Sequence, residues 1–179
     1  MNFNLGHQYT LNSDLEAIKP QLIVDYYSDN RLHFKSSMPK VADEFYTHDY
    51  WQERLELFKQ QQAVTAFRCF IRCQKDFVGH IFIDNIIKGP FMAGFLGYGI
   101  AANYQGQGLM TQSLNHVTHY MFEEFKLNRV MANCMPTNTR SIKLLNAAGF
   151  EREGFARRYL KINGQWEDHL QFSCINPCL

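Results

Sequence analysis

Three groups of residues have the types and spacing to do chemistry. The first is "NYQGQGLMTQSL", residues 103–114, where Gly106 and Gly108 alternate with glutamines just ahead of a helical pattern. A Gly-x-Gly at a helix start can bring an anion close to backbone N–H groups that have no intrahelical acceptor, with the helix dipole adding partial positive charge. The same spacing also makes a plain turn. There is no G-x-x-x-x-G-K-[ST], so a P-loop is excluded, and Thr111 stands where G-x-G-x-x-G needs its third glycine. The second group is the cysteines: Cys69, Cys73, Cys134, Cys174 and Cys178. Cys69 and Cys73 fall on a strand pattern, where residues four apart lie roughly 13 Å from each other, too far to share one metal. An odd count with no secretory signal reads as free, mostly buried thiols. The third group is His116 and His119, three apart on a helix with no third ligand in view, which read as a solvated face. No metal is expected.

The elements that must position these residues follow from periodicity. The first sixty residues read mostly helical, with one helix in "SDLEAIKPQLIVDYYSDN" interrupted near Pro20 and a second in "HDYWQERLELFKQQQ". Residues 63–73, 77–87 and 91–101 are rich in β-branched and aromatic side chains and predict three antiparallel strands. Met110, Leu114, Val117, Met121 and Phe125 then recur at helical steps. Residues 129–135 read as a strand and "TNTRSIKLLNAAGF" as a short helix, with Gly149 suited to its C′ position. Asn163-Gly164 predicts a hairpin between two last strands. The expected order is helix, helix, three strands, helix, strand, helix, two strands. The strand before Gly106 and the strand at 129–135 should be parallel, joined by the helix after Gly108.

With 179 residues, 46% of them hydrophobic, the chain is expected to fold as one domain over 1–179. A formal charge of +1 with no Lys/Arg run gives no electrostatic reason to bind nucleic acid. The sequence contains no signal peptide pattern and no run of about 18 apolar residues, so no membrane contact is expected and the cytosol is the expected location. Monomer and homodimer are both compatible with the sequence.

"YQGQGLM" after a strand, with Asn138, Ser141, Gly149 and Phe150 one strand later, resembles the GNAT acetyltransferase superfamily. "LGYGIAANYQGQGLMTQSL", "RVMANCMPTNTRSIKLLNAAGFEREGFA" and "YLKINGQWEDHL" resemble its RimJ/RimL branch of ribosomal-protein N-terminal alanine acetyltransferases, nearer to RimJ. The likeness is specific over 95–170 and loose before residue 50. It implies an α+β GNAT fold, with a mixed, mostly antiparallel sheet whose two parallel strands splay apart. It also implies acetyl-coenzyme A as co-substrate and direct transfer to the α-amine of an Ala or Ser terminus of a ribosomal protein. A small amine (a polyamine or an antibiotic) as acceptor, or acyl-coenzyme A sensing without catalysis, are the alternatives.

The resemblance assigns residues. Backbone groups of Tyr98, Ile100 and Ala101 would pair with the pantetheine arm, and the N–H near Ile100 would face the oxyanion. Gln105, Gly106, Gln107, Gly108, Leu109, Met110 and Thr111 would cradle the diphosphate, with Asn138 and Ser141 near the cofactor. Ser141 matches the RimL-type proton donor, or is a hydroxyl capping its own helix start. Asn138 contacts coenzyme A or is a turn residue. Leu160 stands where a RimL-like glutamate base is expected, which leaves Asp168 and His169 as substitutes. Cys134 would be a wall of the thioester site. Aromatic residues Tyr26, Tyr27, Phe34, Tyr46, Tyr50 and Trp51 would pack one side of the acceptor groove. Glu151, Glu153, Glu167 and Asp168 are candidates to attract a positively charged terminus.

Overall fold

The computed structural model describes residues 1–6 and 8–179. Its centre is one eight-stranded sheet. In chain order the strands are β1 (Asn2–Asn4), β2 (Tyr9–Asn12), β3 (Phe67–Cys73), β4 (Asp76–Ile87), β5 (Ala93–Ile100), β6 (Arg129–Cys134), β7 (Glu151–Ile162) and β8 (Gln165–Ile175). They lie side by side as β1-β2-β3-β4-β5-β6-β8-β7. Every neighbouring pair is antiparallel except β5 and β6. The helices are α1 (Pro20–Asp29), α2 (Arg31–Phe34), α3 (His48–Gln61), α4 (Leu109–Glu123) and α5 (Thr139–Ala147).

Two apolar clusters, one on each face, hold the sheet. On one face α4 and α5 pack over the strands: Met110, Leu114, Val117 and Met121 meet Ile81, Ile83, Val130 and Phe172. Leu114, Val117 and Met121 are fully buried, and each such side chain stabilises the fold by about 1.5–3 kcal/mol. On the other face α1 and α3 bury Ile23, Tyr26, Tyr27, Trp51, Leu55 and Phe58 against Phe70 and Phe77. The aromatic residues at 26, 27, 34 and 51 are therefore core, whereas Tyr46 and Tyr50 are half-buried beside it.

Two expectations for the first sixty residues need correction. The chain opens with β1 and β2, which extend the sheet edge by pairing Leu11 with Ile71 and Phe3 with Leu11. These strands have three and four residues, too short to show a period. The first helix also begins at Pro20, not at Ser13, so Pro20 starts it rather than interrupting it. A first-turn proline loses no hydrogen bond because that N–H has no partner in any helix. From residue 67 onward the elements match the predicted order, including Gly149 one residue past the α5 C-cap with φ +79°. The Asn163-Gly164 turn has both φ values positive, +49° and +89°, as a two-residue hairpin turn requires.

Candidate active site

β5 and β6 pair in parallel only from Ala93↔Arg129 to Leu96↔Ala132. β5 runs on to Ile100 and β6 to Cys134, so a wedge opens between their ends. On its other side β5 stays paired with β4 as far as Ile100↔Gly79, and the Ala101 N–H donates to the Val78 carbonyl at 2.9 Å. Hydrogen-bonding direction alternates along a strand. Gly97, Gly99 and Ala101 therefore face β4, and the N–H and carbonyl groups of Tyr98 and Ile100 face the wedge with no partner strand. An extended ligand can add there as a strand. Ala101 leaves the predicted set, because its N–H goes to Val78 and its carbonyl accepts from Tyr104 N–H at 3.0 Å.

The glycine stretch lies at the end of the same wedge. Gly106 and Gly108 have φ of +74° and +75°, and a Cβ at either would meet nothing within 4 Å. Glycine is thus required by the backbone conformation, and open space remains where a side chain would project. Gly108 is the N-cap of α4. The backbone N–H groups from Gly106 to Thr111 have no acceptor among the described residues, and the helical ladder begins with Gln112 N–H to the Gly108 carbonyl. A row of free amides at a helix start suits a multiply charged anion. The Leu109 and Met110 side chains are buried in the core, so only their N–H groups reach the row. The glutamines brace it. Gln107 accepts from the Tyr9 hydroxyl at 3.0 Å, and Gln105 accepts from Arg140 at 2.8 Å while meeting His33 at 3.0 Å. Arg140, in the first turn of α5, is a cation at this loop that the sequence reading passed over.

At the mouth of the wedge Tyr98, Ser141 and Cys134 converge. The Tyr98 hydroxyl is hydrogen-bonded to the Ser141 hydroxyl. Burial drives the phenol pKa well above its ordinary value, only partly offset by Ser141, so the phenol stays protonated at neutral pH. Burial also raises the Cys134 thiol, with Ser141 opposing. The sulfur is therefore held as a neutral thiol, a poor nucleophile. The α5 cap is Asn138: its Oδ1 accepts from Ser141 N–H at 3.1 Å. Ser141 therefore does not act as the cap and turns its hydroxyl to Tyr98, while Asn138 caps the helix through Oδ1 and keeps its Nδ2 group available. The Tyr98 side chain went unassigned in the sequence, where only its backbone was considered, although strand parity with Leu96 and Ile100 was a usable signal.

A cavity of about 480 Å³ adjoins the segment that leads from β6 to α5: it is lined by Ser36, Met135, Thr137, Ile162, Asn163, Gln165 and Glu167. The β7–β8 turn at its edge is tied to the end of α2, with Asn163 Nδ2 donating to the Lys35 carbonyl at 2.5 Å. The carboxylates expected to attract a cation now separate. Glu153 is bonded to Arg129 at 3.1 Å, and Glu151 is exposed at the start of β7. Asp168 accepts the Arg158 N–H at 2.7 Å through Oδ1, at the bulge where β7 shifts register. His169 is buried, and its Nδ1 meets the Glu167 carbonyl at 3.1 Å. Glu167 alone of the four lines the cavity, across the ladder from Leu160. Among the described residues no cluster of His, Cys, Asp and Glu could hold a metal ion, and the cysteines are free thiols.

Comparison with known proteins gives the same architecture. The [Ribosomal protein uS5]-alanine N-acetyltransferase of Escherichia coli is 40% identical over 161 residues, covering 87% of this chain and 81% of that protein. The crystal structure of the ribosomal-protein-S5-alanine acetyltransferase of Vibrio fischeri superposes with a TM-score of 0.93 at 34% identity, over 99% of this chain and 97% of that one. Mycobacterium smegmatis RimJ, solved in complex with CoA-disulfide, shares the fold with a TM-score of 0.84 at 23% identity, over 96% and 83% of the two chains. Residues 11–151 match the acetyltransferase (GNAT) domain family. The splayed parallel pair, the free amide row at the α4 start and this match over most of the chain have one explanation: the protein is an acetyltransferase of the GNAT family.

Proposed function

We propose that this enzyme transfers acetyl from acetyl-coenzyme A to the α-amine of a protein terminus beginning with Ala or Ser, that of a ribosomal protein, in the cytoplasm. The observation that carries the donor half is the wedge, with unpaired Tyr98 and Ile100 backbone groups leading to free amides at Gly106–Thr111. These residues fit coenzyme A, whose amide-bearing arm needs an extended partner and whose diphosphate needs amide donors. When bound, it supplies an activated acetyl thioester. Ser141 and Cys134 line the mouth, and Arg140 adds positive charge beside the diphosphate row.

The protein's own groups then have defined tasks. The Ile100 N–H points into the wedge, where negative charge develops on the thioester oxygen. One such donor contributes roughly 3 kcal/mol to catalysis in comparable sites. The Tyr98–Ser141 hydroxyl pair is protonated and can give a proton to the departing sulfur. The acceptor amine must be neutral to attack. An α-amine has a pKa near 7.7–8.0 against 10.4 for lysine, so about a quarter to two fifths of termini are neutral at pH 7.5 and on the order of 0.1% of lysines. A site with no dedicated carboxylate at Leu160 therefore suits an α-amine better than a lysine.

The ribosomal acceptor is supported by the two S5-alanine acetyltransferases above, similar over most of both chains. The test is a panel of peptides differing only in the first residue, with spermidine as a non-peptide amine, each followed by mass spectrometry of the product. Acetyl on the α-amine of Ala- and Ser-initiated peptides is expected. Turnover of spermidine alone would move the enzyme to small amines.

A further inference from the structure

The carboxylate at the cavity has no established task. Glu167 is half-buried and is the one charged side chain in the lining, beside Met135 and Thr137, which directly follow Cys134 on the chain and precede Asn138. It makes no side-chain hydrogen bond, and no Lys, Arg or His among the described residues is salt-bridged to it. Cations elsewhere on the hairpin are turned to other partners or to solvent: Lys161 pairs with Trp166 across the ladder and is exposed. A carboxylate with no counter-ion and no side-chain hydrogen bond has both oxygens available to an arriving cation.

We propose that Glu167 is the acceptor-side recognition residue, accepting hydrogen bonds from the α-ammonium of the incoming chain terminus and seating it beside the wedge. The inference rests on the amine-acetylating reading above and deepens it. One carboxylate matches one positive charge. A polyamine, with several charges along its length, would find a single anion in this lining and otherwise Ser36, Thr137, Asn163 and Gln165.

Glu167 acts in binding, so its signature is in affinity and in pH dependence. The ammonium form predominates below pH 7.7 and the neutral amine above pH 8. The other titratable and charged groups on the elements around Glu167 are Lys35 just after α2, Cys134 on β6, Arg157, Arg158, Tyr159 and Lys161 on β7, and Asp168 and His169 on β8; all are the same in the variants compared.

The experiment measures the affinity of the coenzyme A-loaded protein for an Ala-initiated peptide by calorimetry, and KM and kcat for its acetylation, in the wild type, Glu167→Gln and Glu167→Asp. The expected result at pH 6.5 is at least tenfold weaker binding and a tenfold higher KM in Glu167→Gln, with kcat changed less than threefold and partial recovery in Glu167→Asp. By pH 9.5 the gap between wild type and Glu167→Gln should close to within about threefold. Coenzyme A affinity and melting temperature should match the wild type at both pH values. Equal peptide affinity in wild type and Glu167→Gln, or a gap of the same size at both pH values, overturns the proposal. A wild type that binds and acetylates spermidine but not the peptide sinks the peptide reading alone; the same comparison with spermidine then decides the role of Glu167. Binding of neither amine overturns both.

Discussion

The Tyr98–Ser141 pair is the smallest unit on which the proposed chemistry rests, and its sharing of one hydrogen bond makes a specific demand. Tyr98→Phe removes the hydroxyl and keeps the ring, and Ser141→Ala removes the other partner. Each should lower kcat by roughly 10–100-fold, within the range of a positioned proton donor, while KM for acetyl-coenzyme A changes little. Because the two act as a unit, the double variant should lose about as much as the worse single one, not the product. Steady-state kinetics of the three variants checks this. Losses that multiply would mean two separate roles. The raised phenol pKa adds a sign. Tyr98 is protonated throughout pH 6–9, so no fall in kcat on the alkaline side should disappear in Tyr98→Phe. Ser141 was legible from the Asn-x-x-Ser spacing. Its bond to Tyr98 was not, because it joins residues 43 positions apart.

At the scale of elements, the proposed site sits where two helices begin. α4 starts on Gly108 at φ +75°, a conformation that costs other residues about 1–2 kcal/mol. Gly108→Ala should therefore lower the melting temperature by a few degrees. It should also raise KM for acetyl-coenzyme A at least tenfold, since strain at this point disturbs the amide row. A melting curve and a coenzyme A titration read the two effects separately. α5 starts on Asn138, and Asn138→Ala removes the acceptor for Ser141 N–H. The expected loss is about 1 kcal/mol of stability, with kcat reduced as Ser141 loosens against Tyr98. Both helices were legible in the sequence through their period and their glycine or Asx starts. β1 and β2 were not, since "NFN" and "YTLN" are too short and too polar to show alternation, and they exist because β3 offers them an edge. Likewise the register shift between Ala156 and Leu160, which sets Glu167 across from Leu160, contains the Arg158–Asp168 bond and leaves no mark on periodicity.

At the scale of the whole molecule, the sheet's two faces carry different loads, with α4 and α5 behind the wedge and the aromatic cluster of α1 and α3 in front. His80 links that cluster to the site: its ring meets the Tyr26 hydroxyl at 3.3 Å and packs beneath Gly99, where a Cβ would come within 2.7 Å of it. Desolvation, and then Arg68, lower its pKa to about 3. The unfolded chain binds this proton below pH 6.5 and the folded one only near 3, so stability is lost as pH falls through that window. The melting temperature should drop between pH 6.5 and 4, and by less in His80→Gln. An equal drop in both would assign acid sensitivity elsewhere. The order of elements from β3 onward and the cofactor wedge were foreseeable because strand–glycine–helix patterns are local. The proposed acceptor side was not, because its cavity is assembled from the segment after α2, the segment after β6 and the β7–β8 hairpin, which meet only in the fold. The measurement that tests the account most directly is thiol release from acetyl-coenzyme A with a peptide bearing a free Ala terminus and an internal lysine, beside the same peptide with its terminus already acetylated. The account predicts turnover with the first, at least a hundredfold less with the second, and the new acetyl group on the α-nitrogen. Equal rates with both, and acetyl on the lysine, would contradict it.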